Sequence, residues 1–128
     1  MAVQRWRVLD CDVMVKAGIR SRQLVWPKNS PESQATITHV TMEPGAVSER
    51  HAHACSEQIW IVERGEGVLL LADEKTEALR AGDVVRTPAG ETHGVMNSGN
   101  EPLVYLAVTS PPQDFSSAYN RTTSAKGS

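Results

Sequence analysis

Cysteine is scarce in this chain of 128 residues: Cys11 and Cys55 are too few for a disulfide framework, and neither belongs to a CxxC pair. An excess of positive charge is also lacking. Thirteen Lys and Arg against fifteen Asp and Glu leave a formal net charge of −2, which argues against a phosphate-binding face for nucleic acid. No apolar run approaches the ~20 residues of a membrane helix. The opening Met1–Ala–Val–Gln–Arg–Trp–Arg7 has no apolar core of the kind a secretory signal carries. Helical periodicity is almost absent, and there is no Ser-His-Asp set, phosphate-binding glycine loop or basic-aromatic stripe. These absences point away from nucleic acid, membrane and disulfide-scaffold roles, toward a cytoplasmic protein with reduced thiols. The length suits one domain.

What the chain does have is a series of short apolar runs. Thr36–Met42, Gln58–Val62, Gly67–Ala72, Val84–Arg86, Gly94–Met96 and Leu103–Thr109 are rich in β-branched residues. Turn signals separate them: Glu43–Pro–Gly45, Arg64–Gly–Glu–Gly67, Ala81–Gly–Asp83, Pro88–Ala–Gly90 and Ser98–Gly–Asn100. Many short strands with regular turns predict an all-β sandwich or barrel with almost no helix. Trp26–Pro–Lys–Asn–Ser–Pro31 is expected to form a proline-bounded loop or lid leading into it.

Three of the four histidines lie in two segments. Gly45–Ala–Val–Ser–Glu–Arg–His51–Ala–His53 carries two, and Gly82–Asp–Val–Val–Arg–Thr–Pro88–Ala–Gly90–Glu–Thr–His93 carries the third. A neutral imidazole offers a lone pair near pH 7, and residues i and i+2 of an extended chain point the same way. His51 and His53 therefore read as paired metal ligands on one strand, with His93 delivered after a Pro/Gly turn.

Both segments resemble the paired motifs of the cupin superfamily. The first runs Gly45, five residues, His51–Ala–His53, four residues, Gln58, six residues, Gly65. The second, with every spacing intact, runs Gly82, Pro88, Gly90, His93, Asn97. The resemblance covers about residues 33–110 and implies a small double-stranded β-helix, or jelly-roll, barrel with one divalent transition metal in its mouth. On this reading residues 1–32 supply N-terminal strands and a loop packed on the barrel, 33–110 form its core, and 111–128 are a tail partly disordered toward its end. The resemblance also implies a homodimer paired through β-strands, for which a free edge strand gives a physical basis.

One position departs from the family pattern. Gln58 stands where the family usually has a carboxylate ligand, with Glu57 just before it. Adjacent strand residues face opposite ways, so only one of the two reaches the metal, and counting back from Gly65 selects Gln58. Three imidazoles and an amide are all neutral, so the ion's charge stays uncompensated and an anionic or chelating ligand is favoured. Mixed nitrogen and oxygen donors suit Fe, Mn, Ni, Cu or Zn. If Gln58 faces inward, Trp60 and Val62 share its face as pocket-lining residues, although Trp60 suits plain core equally well. Glu57, if it turns toward the pocket, is the one nearby base.

Packing or surface roles are expected elsewhere: for His39, which matches no motif position, for Cys55 as a small packing residue, and for Arg50 and Arg86 at the surface. Trp6, Trp26 and Tyr105 suit a dimer face or a pocket rim. Asn97 is expected to fasten its turn by side-chain hydrogen bonds. The function implied is a metalloenzyme of dioxygenase, isomerase, decarboxylase, lyase or cyclase type acting on a small molecule. A non-catalytic small-molecule sensor and a metal-independent sugar epimerase of the same fold are the alternatives.

Overall fold

The structure is a computed structural model that describes residues 2–123. Eleven strands follow one another: β1 (Val13–Lys16), β2 (Ile19–Val25), β3 (Thr36–Met42), β4 (Val47–His51), β5 (Glu57–Arg64), β6 (Glu66–Leu71), β7 (Thr76–Arg80), β8 (Val84–Thr87), β9 (His93–Met96), β10 (Leu103–Ser110) and β11 (Arg121–Thr123). Three single-turn 3-10 segments are the only helical pieces among the described residues. Every strand pairing is antiparallel. One sheet runs β11-β1-β2-β3-β10-β5-β8 and the other β4-β9-β6-β7. The protein is therefore an all-β jelly roll, and β1 and β2 are hydrogen-bonded members of its larger sheet.

The inner faces bury Ile19, Val40, Met42, Trp60, Val62, Leu103, Tyr105 and Ala107 from one sheet against Leu69, Leu79 and Val95 from the other. Alternation is regular where it matters: β3 and β10 bury every second residue. Along those buried positions the chemistry changes from end to end. Met42 pairs with Leu103, then Val40 with Tyr105, then Thr38 with Ala107, and finally Thr36 with Thr109. On the other side of β10, Tyr105 pairs with Val62, Ala107 with Trp60, and Thr109 with Gln58. One end of the barrel is thus a dry apolar plug, and the other is lined by hydroxyls and an amide. The strand sequences themselves decide which end can hold a polar ligand.

Two turns depend on particular residues. Gly65 joins β5 to β6 at φ +85, and a Cβ there would lie 2.4 Å from the Pro102 carbonyl oxygen, so only glycine fits. Asn97 fastens the β9–β10 connection: its amide nitrogen donates to the Met42 and Glu101 carbonyls at 2.9 and 2.8 Å, while its oxygen accepts from the Gly99 N–H.

The expectation of disorder at the end of the tail falls on residues 124–128, which lie outside those described. Residues 111–123 form a strap across the barrel. Thr36 Oγ1 donates to the Gln113 carbonyl and accepts its N–H, Ser56 donates to the Pro111 carbonyl at 2.7 Å, and β11 pairs with β1. The anchoring hydroxyls belong to the barrel, and the strap offers them backbone groups of Pro111 and Gln113 and the Gln113 side chain.

Candidate metal centre

His51 ends β4 and His93 begins β9, and the two are direct cross-strand partners. The pairing depends on a bulge. Ser48 faces Val95 and His51 faces His93, so β4 spends three steps where β9 spends two. The extra residue reverses the inside-outside parity of β4 and turns His51 to the face that His93 occupies. Gly94 permits the close approach, since a Cβ there would lie 2.7 to 2.9 Å from the backbone of Ser48, Glu49 and Arg50. His53 follows just beyond the strand, and its carbonyl accepts the Gly90 N–H at 2.8 Å. That bond ties the two histidine-bearing segments together through the Pro88–Gly90 turn.

The three rings converge, with centroids 4.4 to 5.2 Å apart and one ligand nitrogen from each within 4.8 Å of the others. His51 Nδ1 lies 2.7 Å from the Glu49 carbonyl oxygen. A carbonyl only accepts, so that nitrogen carries the proton and Nε2 keeps its lone pair. His53 Nε2 is buried and has no hydrogen-bond partner among the described residues. Burial lowers the pKa of His53, helped by repulsion from His51. Burial, again with His51, lowers His93 to about 4 against a hydrogen bond to the Glu91 carbonyl that raises it.

Gln58 stands beside them, 7% exposed. Its oxygen accepts the Trp60 indole N–H at 2.8 Å and its nitrogen donates to Thr109 Oγ1 at 2.9 Å. An indole N–H can only donate, so the amide oxygen must be the atom on that side, and it lies 3.2 Å from His93 Nε2. Both His93 nitrogens face oxygens, Nδ1 the Glu91 carbonyl at 3.3 Å and Nε2 this amide, and the neutral ring has one proton, so one of the two contacts sets lone pair against lone pair. Two donors each about 2.1 Å from one ion, and at right angles, would be about 3.0 Å apart. The unpartnered His53 nitrogen and this confrontation are both features that a bound cation would resolve, so the residues present fit a divalent metal.

Glu57 faces the other way. It pairs with Arg86 at 2.8 Å on an exposed surface, which leaves the histidine group without a carboxylate member. Trp60 lines the cavity beside the histidines. Val62 does not: it lies among the core side chains, because β5 has by then passed into the apolar end of the barrel. Cys55 is exposed and so does not pack. His39 sits on the outer face, 3.3 Å from Glu63. Arg50 is only partly exposed and borders the cavity, donating to the Leu71 and Lys75 carbonyls. Trp26 is buried and Tyr105 lies on the cavity wall, packed on Trp60 at 4.8 Å.

The cavity measures about 660 Å³ and opens over His51, His53 and Gln58. Sequence reasoning misses its far wall, which Lys16 of β1 and Phe115, Ala118, Tyr119 and Asn120 of the C-terminal strap supply. Phe115 meets His53 edge-on at 5.7 Å. The one available signal is that two aromatic residues stand in an otherwise Ser/Thr-rich tail.

The His93 environment carries a pH consequence. Its folded value near 4 lies below the 6.5 of an ordinary imidazole, so the unfolded chain binds the extra proton more readily between the two. Stability of the metal-free protein is therefore full above pH 6.5 and lost as pH falls toward 4, by roughly 2 kcal/mol at pH 4.5. Denaturant titration in chelator at both pH values measures it. A loss equally large in His93→Asn would assign the effect to other groups.

Comparison with known proteins places residues 38–109 in the cupin domain family. An uncharacterized protein of Methanocaldococcus jannaschii is 29% identical over 99 residues, covering 77% of this chain and 78% of that protein. An oxalate-binding protein of Thermotoga maritima is 37% identical over 72 residues, 56% of this chain and 59% of that relative, whose length is thus matched to less than two thirds. The crystal structure of a predicted oxalate decarboxylase from Thermotoga maritima superposes with a TM-score of 0.73 at 25% identity, covering 84% of this chain and 99% of that one.

Proposed function

The chain belongs to the cupin family, and from that premise we propose that it is a metalloenzyme acting on a small anionic or chelating organic molecule. The observation that carries this reading is the convergence of three imidazole nitrogens, one of them buried without a partner, on the wall of an organic-sized cavity. His51, His53, His93 and Gln58 would hold one divalent Fe, Mn, Ni, Cu or Zn ion. Such an ion would supply Lewis acidity toward a carbonyl or enolate or, if iron, a means of activating dioxygen.

The protein's own contribution is orientation and charge. The Glu49 carbonyl fixes the tautomer of His51, while Trp60 and Thr109 aim the oxygen of Gln58. No carboxylate belongs to the histidine group, so the centre would remain positive and attract anions. The exposed Glu57–Arg86 pair favours a surface role for Glu57 over a catalytic one.

Elemental analysis of protein purified without a metal-affinity step tests the centre, and product detection with hydroxy- and oxo-acids, aerobic and anaerobic, tests the chemistry. Absence of bound metal after loading would end the metalloenzyme reading. Tight binding of acids with no turnover would move the assignment to a non-catalytic binding protein, a role that the Thermotoga maritima oxalate-binding relative favours.

The fourth ligand has its own test. Gln58→Ala should lower metal affinity less than any histidine substitution, because an amide oxygen is the weakest donor of the set, while Glu57→Ala should change nothing. Trp60→Phe keeps the ring but frees the amide to turn, and should cost about tenfold in affinity. In a Gln58→Glu background, where both ends of the side chain are oxygen, that cost should disappear. Calorimetric titration of each metal-free variant decides, and an undiminished Trp60→Phe cost in the Glu background would reject the orienting role.

A homodimer is also proposed. Ile61 and Val84, paired across β5 and the edge strand β8 and 42% and 68% exposed, give it an apolar seam. A monomeric mass by light scattering would count against it.

A further inference from the structure

Aromatic side chains are rare in this protein: three Trp, two Tyr and one Phe, six in all. Four of the six line the cavity over the histidines: Trp60, Tyr105, Phe115 and Tyr119. Core packing accounts for two of them, since Trp60 and Tyr105 are 4% and 6% exposed and belong to the central cluster. It accounts for Tyr119 only in part, since that ring packs partly buried against the edge of the cluster, and not for Phe115; the strap carries both back over the barrel mouth from beyond its last core strand. Lys16 lies with its ammonium 4.7 Å from the Tyr119 ring centre and has no ion-pair partner among the described residues. The volume, about 660 Å³, is within the range that encloses drug-sized organic ligands, and a two-carbon dianion would leave most of it to water.

We propose that the cavity selects an aromatic acid, an arene whose neighbouring oxygen substituents face the His51–His53–Gln58 end and whose ring packs against Phe115 and Tyr119. Phe115 and Tyr119 are then the specificity-determining residues, and Lys16 supplies positive charge for the anion. The inference rests on the metal-centre reading for the chelating end alone. The apolar body of the ligand follows from the aromatic walls, which favour planar rings through stacked and edge-on contacts.

The test is calorimetric titration of the zinc-loaded full chain with two probes, 2,3-dihydroxybenzoate and oxalate. The arene should bind about tenfold more tightly than oxalate, because only it buries a ring. Phe115→Leu and Tyr119→Leu keep apolar volume on the strap while removing the π face. Each should weaken the arene about five- to tenfold and leave oxalate within about twofold. Zinc content and melting temperature, unchanged in both variants, exclude a disordered strap as the cause. Oxalate binding as tight as the arene, or arene affinity indifferent to both substitutions, would overturn this inference while the metal centre stood. A chain that takes up neither zinc nor iron, manganese, nickel or copper would instead overturn the metalloenzyme reading.

Discussion

Replacing His51 and His53 together with alanine is expected to lower divalent-metal affinity by at least about a hundredfold, leaving a protein with no metal after dialysis. The two side chains are half of the candidate donor set, and what remains, His93 and Gln58, is one imidazole and one amide. Two neutral donors cannot replace the hydration shell that a divalent ion gives up. The fold should survive the change. His51 is exposed at a strand end, and His53 carries a buried nitrogen with no hydrogen bond to lose. Metal-free wild type and metal-free double variant should therefore melt within about 3 °C of each other. Metal content by elemental analysis, with the melting curves as control, checks both parts. Full metal retention in the double variant would remove His51 and His53 from the centre.

Gly94→Ala should be the more damaging change to the fold itself. Its Cβ would meet the Ser48 oxygen at 2.7 Å and the Arg50 nitrogen and Glu49 carbonyl carbon at 2.9 Å. All three are backbone atoms of the bulged β4, so no side-chain rotation relieves the clash. β4 must move away from β9, at a cost of about 3 kcal/mol or more. The same motion separates His51 from His93, so metal affinity should fall with stability although no ligand has been altered. Gly45→Ala is the informative contrast: its φ of +85 strains alanine, but nothing lies within 4 Å of the new Cβ. That variant should cost about 1 to 2 kcal/mol and leave metal affinity intact. Equal losses in the two variants, by denaturant titration, would show that Gly94 does not act through contact.

The barrel is legible in the chain because its strands obey local rules. Thr36–Met42 and Leu103–Ser110 alternate strictly, and the register that buries Val40 and Tyr105 follows from that alternation. The choice between Gln58 and Glu57 is likewise a matter of parity, and the structure turns Gln58 inward and Glu57 out to Arg86. Other features do not obey local rules. The bulge between Ser48 and His51 arises from the meeting of β4 with Gly94 more than forty positions away, which no local pattern announces. Val62 shares the parity of Trp60, yet alternation says nothing about depth along the barrel, and Val62 falls in the core. The strap is hidden for a different reason: its anchors, Thr36 and Ser56 with Gln113, are polar contacts between distant segments, and polar composition by itself reads as solvent-loving.

The strap also separates two properties that many proteins keep entangled, the lining of a cavity and the pairing of a fold. Apart from its three pairings with β1, the segment carrying Phe115 and Tyr119 contributes no rung to the barrel's ladders. Evolution can therefore rewrite about a dozen residues of that segment, reshaping one wall of the cavity, while the histidines, the bulge and the apolar plug go untouched. A lineage built on this arrangement would diversify in what it grips far faster than in how it folds.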